Sequence, residues 1–333
     1  MHEVSVAVLG ASGHTGRFVV DRLQALGVVP RPATRSGRFR NREEIELPCA
    51  VLDFGDPLGL DRALQGVDAV INCAGPFFDT ALPAAEAAVR AGIPYVDVTA
   101  EQVTVARLIE KLDDRARDAG VTILPAMGFF GGLADLMASL LVPPGKHVDT
   151  MEIAVGLDSW NPTAGTRRTA ERNIYPRQII REGKLIPIPS PAPSGRWDFP
   201  PPLGDQPVIC VALSEIVLIA RHIAARSVTS FMNEQPIEDL HDAGTPPPIA
   251  DDGEGRSTQR FFMEVRVTAG GEESRAMASG RDIYAVSAPL AVNACLGLVQ
   301  NRTAASGVLA PGEIFDPRTF FSGMAPDIAV AFQ

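Results

Sequence analysis

The 333-residue chain predicts an α/β protein in which a doubly wound parallel sheet is followed by an α+β part with a mostly antiparallel sheet. Three observations carry that expectation. A glycine-rich turn closes the first β-branched run and opens the first amphipathic helix. Strand and helix patterns then alternate through Leu124, the signature of βαβ units. Beyond them, two strand-like runs flank Ala269-Gly270-Gly271-Glu272, the pattern of an antiparallel hairpin.

Taken in order, Val4 to Leu9 is a short apolar strand. Thr15 to Leu26 places Phe18, Val19, Leu23 and Leu26 on a helical period, and Gly27 can end it. The second strand should be short and begin near Ala33, because Pro30 and Pro32 cannot donate to a sheet ladder. Val51 to Phe54 is the next strand candidate. Asp56 and Pro57 form an N-cap and N1 pair for a short helix. Val67 to Asn72 is a buried strand, and Asp79 or Thr80 is expected to cap the Ala-rich helix that stops at Gly92. Tyr95 to Val98, the charged helix Glu101 to Ala119 and Val121 to Leu124 complete the series.

The second half reads differently. Leu133 to Leu141 and Ser214 to Ala224 are helical, Thr150 to Val155 and Val228 to Met232 are strands, and Ala164 to Arg181 is one long charged helix. Pro187 to Pro207 is read as a Pro-rich loop, and Pro236 to Gly255 as a polar connection. Arg260 to Thr268 and Glu273 to Arg281 form the hairpin, and Ile283 to Val299 is the last long helix. The expected division is 1–126 for the nucleotide-binding part, 127–282 for the substrate part and 283–333 for a C-terminal helix and tail that return to the first part.

The strongest chemical signal is VLGASGHTGRFVV. Gly10, Gly13 and Gly16 sit between a strand and a helix, where missing side chains let the backbone approach a pyrophosphate and the helix N–H groups face it. Ser12, His14 and Thr15 belong to the same turn. This makes the parallel sheet a Rossmann-type one. A site for NAD carries an acid about 20 residues past the glycines. None stands between Asp21 and Glu43; Arg31, Arg35, Arg38, Arg40 and Arg42 occupy the segment instead. Guanidinium forks suit a 2′-phosphate, with Thr34 and Ser36 adding hydroxyls, so NADP(H) is the expected cofactor. Arg35 and Ser36 are the first candidates and Arg38 the next; Arg40 and Arg42 read as a solvated loop. Asp53 ends a strand on the adenine side. Cys73, Ala74, Gly75 and Pro76 follow a buried strand and should pass the ribose and nicotinamide.

Candidates for proton handling are Asp97 at a strand end and Tyr175 and Arg167 on or near the long helix. Glu101 reads as a helix-terminal acid. Phe77, Thr99, Phe129, Phe130, Trp160, Thr166 and Trp197 are candidates for a substrate pocket. No tyrosine is followed four positions on by lysine, so the Tyr-x-x-x-Lys pair of short-chain reductases is missing.

The net charge of −10 argues against nucleic-acid partners. The four scattered cysteines form no disulfide framework, and neither they nor the histidines have metal spacing, so no metal is expected. No signal peptide or membrane span is expected, since the most apolar later stretch, Val208 to Ala225, contains Glu215, Arg221 and His222. A cytoplasmic setting follows as the expectation.

In this order, GASGHTG, INCAGPF, YVDVTAE and GFFGGLADLMA resemble the saccharopine dehydrogenase-like reductases, a family that includes saccharopine reductases and trans-acting enoyl reductases. GTRRT (165–169), GRDIY (280–284) and GVLAPGEIF (307–315) are similar to its later segments. The resemblance implies an NADP-binding Rossmann domain with an inserted substrate domain. The family often has GFDSxPSD where this chain has Gly128-Phe129-Phe130-Gly131-Gly132-Leu133-Ala134-Asp135. Asp135 matches, but two polar positions become Phe130 and Gly131, which points to an apolar or conjugated small-molecule substrate.

The function expected is therefore NADP(H)-dependent reduction of a C=C (enoyl) or C=N (imine) bond in a biosynthetic intermediate. A non-catalytic NADP sensor of the NmrA type, which shares a GASGxTG start, and a redox-neutral enzyme that retains NADP are the alternatives. A homodimer joined through the hairpin sheets is the expected assembly.

Overall fold

The computed structural model describes residues 3–300 and 305–333; residues 1–2 and 301–304, at the start of the first expected part and within the last, lie outside them. Seven strands form a parallel sheet in the order Gly307–Val308, Thr122–Leu124, Tyr95–Asp97, Ala69–Asn72, Ser5–Leu9, Val29–Thr34, Ala50–Val51. The period of two explains how its central strand is buried on both faces. Val6 and Val8 join the core under the helix His14–Ala25, while Ala7 and Leu9 point to the opposite core beneath Phe77–Ala91.

Pro30 and Pro32 lie inside the second strand, which starts four residues before Ala33 at Val29. The parity of the ladder explains it. Val29 donates to the Val4 carbonyl and Ala33 accepts from Gly10, so odd positions face the central strand. Even positions face Ala50–Val51, whose pairing begins only at Ala33 and Thr34. Both prolines therefore present their missing N–H to an unpaired edge.

The second sheet has nine strands, Val148–Leu157, Gln178–Arg181, Lys184–Pro187, Ser194–Asp198, Asp205–Cys210, Ala225–Asn233, Arg260–Ala269, Glu272–Arg281 and Ile328–Phe332. Every pairing in it is antiparallel except Val148–Leu157 with Ala225–Asn233. Gly270 and Gly271, with φ of 62° and 84°, close the long hairpin. One continuous core runs from Val8 and Leu23 through Phe129, Leu133 and Leu290 to Met151 and Phe261, so the two sheets share it. Helix Ser287–Gln300 packs on His14–Ala25, whereas the strand Ile328–Phe332 pairs with Glu272–Arg281 rather than with the first sheet.

Several expectations are corrected. The long helix 164–181 ends at Arg172, because Pro176 lacks an N–H and biases the residue before it away from the helix. Gln178–Arg181 then forms a strand that turns through Glu182 and Gly183 into Lys184–Pro187. The Pro-rich stretch holds a hairpin in which Trp197 faces Gln206. Glu234–His241 is a helix inside the polar connection. The Ala-rich helix begins at Phe77 with Pro76 as its N-cap, ahead of Asp79 and Thr80.

Candidate functional site: a cleft between the two sheets

The carboxyl ends of the parallel strands and the loops and helices beside the mixed sheet enclose a cleft of about 930 Å³. Gly10, Ser12, Gly13, His14 and Thr15 form one end of it. Gly10 has φ of 76°, and a Cβ there would come within 2.9 Å of Ala74. A Cβ on Gly16 would collide with the Gly10 carbonyl, so this glycine lets the helix close on the strand without itself lining the cleft. Gly13 caps the helix with no side-chain bond, which leaves the first N–H groups open toward the cleft. The cradle has the shape and donor set that a dinucleotide pyrophosphate requires.

Thr34, Arg35 and Asp53 line the cleft at the end where the adenine is expected. Among the described residues Arg35 makes no hydrogen bond or ion pair, so its guanidinium is uncommitted on the rim. The Thr34 hydroxyl donates to the Arg38 carbonyl at 3.0 Å and lies 3.3 Å from Ser36 Oγ, and Asp53 turns the loop by accepting from Gly55 at 2.8 Å. Arg38 lines a neighbouring recess with Ser12 and Arg17, and Ser36 lies outside the lining of both. Arg40 pairs with Glu44, and Arg42 pairs with Asp21 over the Phe18 ring.

Cys73, Ala74, Gly75, Pro76 and Phe77 form the middle wall. Burial pushes the Cys73 thiol up to about 12, so it stays a thiol. The wall is held from behind. Glu101 accepts the N–H groups of Phe77 and Phe78, both at 2.9 Å, and the Thr104 hydroxyl at 2.7 Å. Burial raises its carboxyl, and these bonds oppose the shift. The carboxylate thus caps the neighbouring helix rather than its own.

Asp97 and Thr99 stand one layer behind the wall rather than on it. Asp97 accepts from Thr99 N at 2.9 Å, Ala126 N at 2.8 Å and Tyr95 Oη at 2.9 Å. Burial raises its carboxyl to about 6, against the pull of those donors. Its place makes it a positioning residue. Thr99 Oγ1 accepts from Glu101 N at 3.1 Å.

Phe129, Phe130 and Trp160 make the apolar far wall, with ring centroids 4.8 and 5.6 Å apart in succession. Thr166 also lines the cleft, beside Trp160: both bind the Tyr284 hydroxyl at 2.9 Å. The remaining candidates lie elsewhere. Tyr175 is 42% exposed and stacks on Phe78 outside the cleft. Arg167 spends its guanidinium on the carbonyls of Leu240, Asp242 and Thr245 at 2.8 to 3.0 Å, strapping down the connection after Glu234–His241. Trp197 is buried under the mixed sheet, donating to Glu264 at 2.8 Å beneath the Arg266 guanidinium. Tyr175 lies past the observed end of the helix and Trp197 on a hairpin strand, while Arg167 is on the expected helix but turned away from the cleft lining.

The cleft also contains residues that were not singled out as site residues: Thr163, Thr169, Arg177, Tyr284 and Ser287. Arg177 is half-buried, and burial lowers its guanidinium, an effect that the charge of Glu215 opposes. Tyr284 stands in GRDIY, a motif noted only for its resemblance. Its neighbour Asp282 takes the N–H groups of Tyr284 and Ala285 and so orients the turn. No group of histidine, cysteine and acid side chains among the described residues is arranged to hold a metal, and no helix among them is long and apolar enough to cross a membrane.

Comparison with known proteins agrees with this geometry. Residues 6–124 match the family model for the saccharopine dehydrogenase NADP binding domain. The human saccharopine dehydrogenase-like oxidoreductase is 28% identical over 152 residues, 39% of this chain and 35% of that protein. A Mycobacterium tuberculosis protein named as a trans-acting enoyl reductase is 27% identical over 144 residues, 40% of this chain and 34% of that protein. The aligned part is thus about a third of the length of these curated relatives. Saccharopine dehydrogenase (L-Glu forming) of Saccharomyces cerevisiae shares the fold across 99% of this chain and 100% of its own, with a TM-score of 0.66 at 16% identity.

Proposed function

We propose, from a parallel-sheet half that is a saccharopine dehydrogenase-type NADP-binding domain, that the chain is an NADP(H)-dependent reductase of a small conjugated substrate. The observation that carries this reading is the single cleft: the glycine cradle and the uncommitted Arg35 open into the same space as the aromatic wall of Phe129, Phe130 and Trp160. A cofactor and a second molecule can therefore meet with water excluded.

When bound, NADPH supplies the hydride. The chain does the rest. The turn from Gly10 to Gly16 and the helix N–H groups hold the phosphates, and Arg35 faces the 2′-phosphate side. The loop Cys73–Pro76, fixed by Glu101, sets the depth of the nicotinamide end. The aromatic wall favours an enone, enoyl or imine group in a flat apolar frame, and Arg177 offers a counter-charge at its edge. A cytoplasmic setting and a homodimer through the hairpin sheets belong to the same proposal.

The test is NADPH oxidation with a panel of aryl enones and cyclic imines, beside NADH. Turnover with NADPH preference supports the reading. Preference for NADH contradicts the arginine argument. Tight NADP binding without oxidation of any acceptor contradicts the enzyme reading, and turnover of a substrate with no net change in NADPH points to redox-neutral chemistry.

A further inference from the structure

We propose that Tyr284 is the proton donor of this cleft, with Thr166 and Thr163 as the hydroxyl path that reprotonates it. The assignment rests on the reductase reading above. The phenolic oxygen accepts the indole N–H of Trp160 at 2.9 Å and the backbone N–H of Thr163 at 3.3 Å. Those two donors occupy its lone pairs, so its own proton is directed either to Thr166 Oγ1, 2.9 Å away, or into the cleft. Thr166 Oγ1 lies in turn 2.9 Å from Thr163 Oγ1. All three residues line the cleft. The ring is held edge-on against His14, with centroids 5.3 Å apart, which ties the phenol to the first residue of the cofactor-side helix.

The other acids of the cleft are spent or unsuited. Glu101 has its oxygens engaged by Phe77, Phe78 and Thr104. Asp79 is paired with Arg172 at 2.7 Å, and Asp53 turns its own loop on the adenine side. Cys73 stays a thiol held above its ordinary range, and Asp97 is buried behind the wall. His14 is held neutral by burial, and its Nε2 has no partner among the described residues. Burial also keeps Tyr284 protonated above the ordinary phenol range, as a donor at neutral pH must be. The charge it takes on after giving up the proton is met by two N–H donors already in place.

The balance of the step is simple. The hydride from NADPH forms a C–H bond at one end of the substrate double bond. The π electrons move to the imine nitrogen or, through the conjugated chain of an enone, to the carbonyl oxygen, and that atom takes the Tyr284 proton. The enol formed from an enone then gives its O–H proton to water and takes one at the α-carbon, which leaves the saturated ketone. The phenolate recovers a proton from water through Thr166.

Two acceptors separate acid catalysis from simple positioning. β-Nitrostyrene becomes a stabilised anion on hydride addition and needs little proton donation; benzylideneacetone needs it. In Tyr284→Phe, turnover of benzylideneacetone should fall by about a hundredfold or more, while that of β-nitrostyrene stays within about threefold and NADPH affinity is unchanged. A second readout needs no turnover: benzylideneacetone bound to the NADP⁺ form should absorb at longer wavelength in the unaltered protein than in the Phe variant, because its carbonyl loses a hydrogen bond. Thr166→Val should slow enone turnover and leave that spectral shift in place. Equal loss with both acceptors, or an unchanged spectrum in Tyr284→Phe, overturns the assignment. If the unaltered protein oxidises NADPH with neither acceptor, the reductase reading fails first and this assignment with it.

Discussion

The carboxylate of Glu101 receives the backbone N–H of Phe77 at 2.9 Å, across 24 residues of chain. An acid at the start of one helix thereby caps the preceding helix, Phe77–Ala91, and fixes the Cys73–Pro76 loop that forms the cleft wall. Glu101→Gln keeps one acceptor oxygen and loses the charge. It should cost about 1–2 kcal/mol in urea denaturation and weaken NADPH binding several-fold, with both effects larger in Glu101→Ala. Unchanged NADPH affinity in the Ala variant would show that the loop holds its place without this cap.

Asp97 gives a pH-dependent stability whose sign is fixed by burial. Its carboxyl is raised to about 6 in the folded chain, above the ordinary aspartate value near 3.9. The stabilisation linked to its protonated form is complete below the unfolded value and is lost as the pH rises through about 6. Asp97→Asn removes this term while keeping an acceptor for Thr99 and Ala126. Melting temperatures should show the variant gaining on the unaltered protein between pH 4 and pH 7. A constant difference across that window would refute the argument.

Arg35→Glu reverses the charge proposed to meet the 2′-phosphate. Its Kd for NADPH should rise at least about tenfold, while binding of NADH changes little. Isothermal titration with both nucleotides makes the comparison. An equal loss for the two would mean that Arg35 touches a part they share.

Trp197→Phe checks the correction made to the substrate pocket. The indole N–H donates to the buried Glu264 at 2.8 Å, far from the cleft wall. The variant should lose about 1–3 kcal/mol of stability and leave the KM for any enone substrate unchanged. Trp160→Phe, which removes a donor to Tyr284, should show the opposite balance: modest loss of stability and a clear fall in kcat.

The glycine turn was legible because its physics is local. Positive φ at Gly10, the close approach at Gly16 and open N–H groups at a helix start all follow from a few neighbouring residues. The arginine segment was legible as a charge pattern that set Arg35, on the cleft rim, apart from Arg40 and Arg42, yet the pattern did not show that Ser36 lies outside the lining or that Arg42 pairs with Asp21. The two tryptophans show where such reading stops. Trp160 and Trp197 are equally apolar and equally good pocket candidates, but hairpin register sends Trp197 beneath the mixed sheet. Tyr175 falls outside the cleft because the helix ends before Pro176, and Arg167, on the helix itself, turns to the Leu240, Asp242 and Thr245 carbonyls instead.

What the amino-acid sequence determined by itself was the alternation of strands and helices, the nucleotide cradle and the preference for a phosphate-bearing cofactor, since these depend on periodicity, glycine conformation and local charge. What only the tertiary structure decided was the company each polar side chain keeps. Glu101 meets Phe77 across two strands' ends, and Tyr284 meets Trp160 and Thr166 across more than a hundred residues of chain. Those distances close only when both sheets pack on the core running from Val8 to Phe261. A hydrogen bond is set by position within a fraction of an ångström, and no pattern along the chain carries that information.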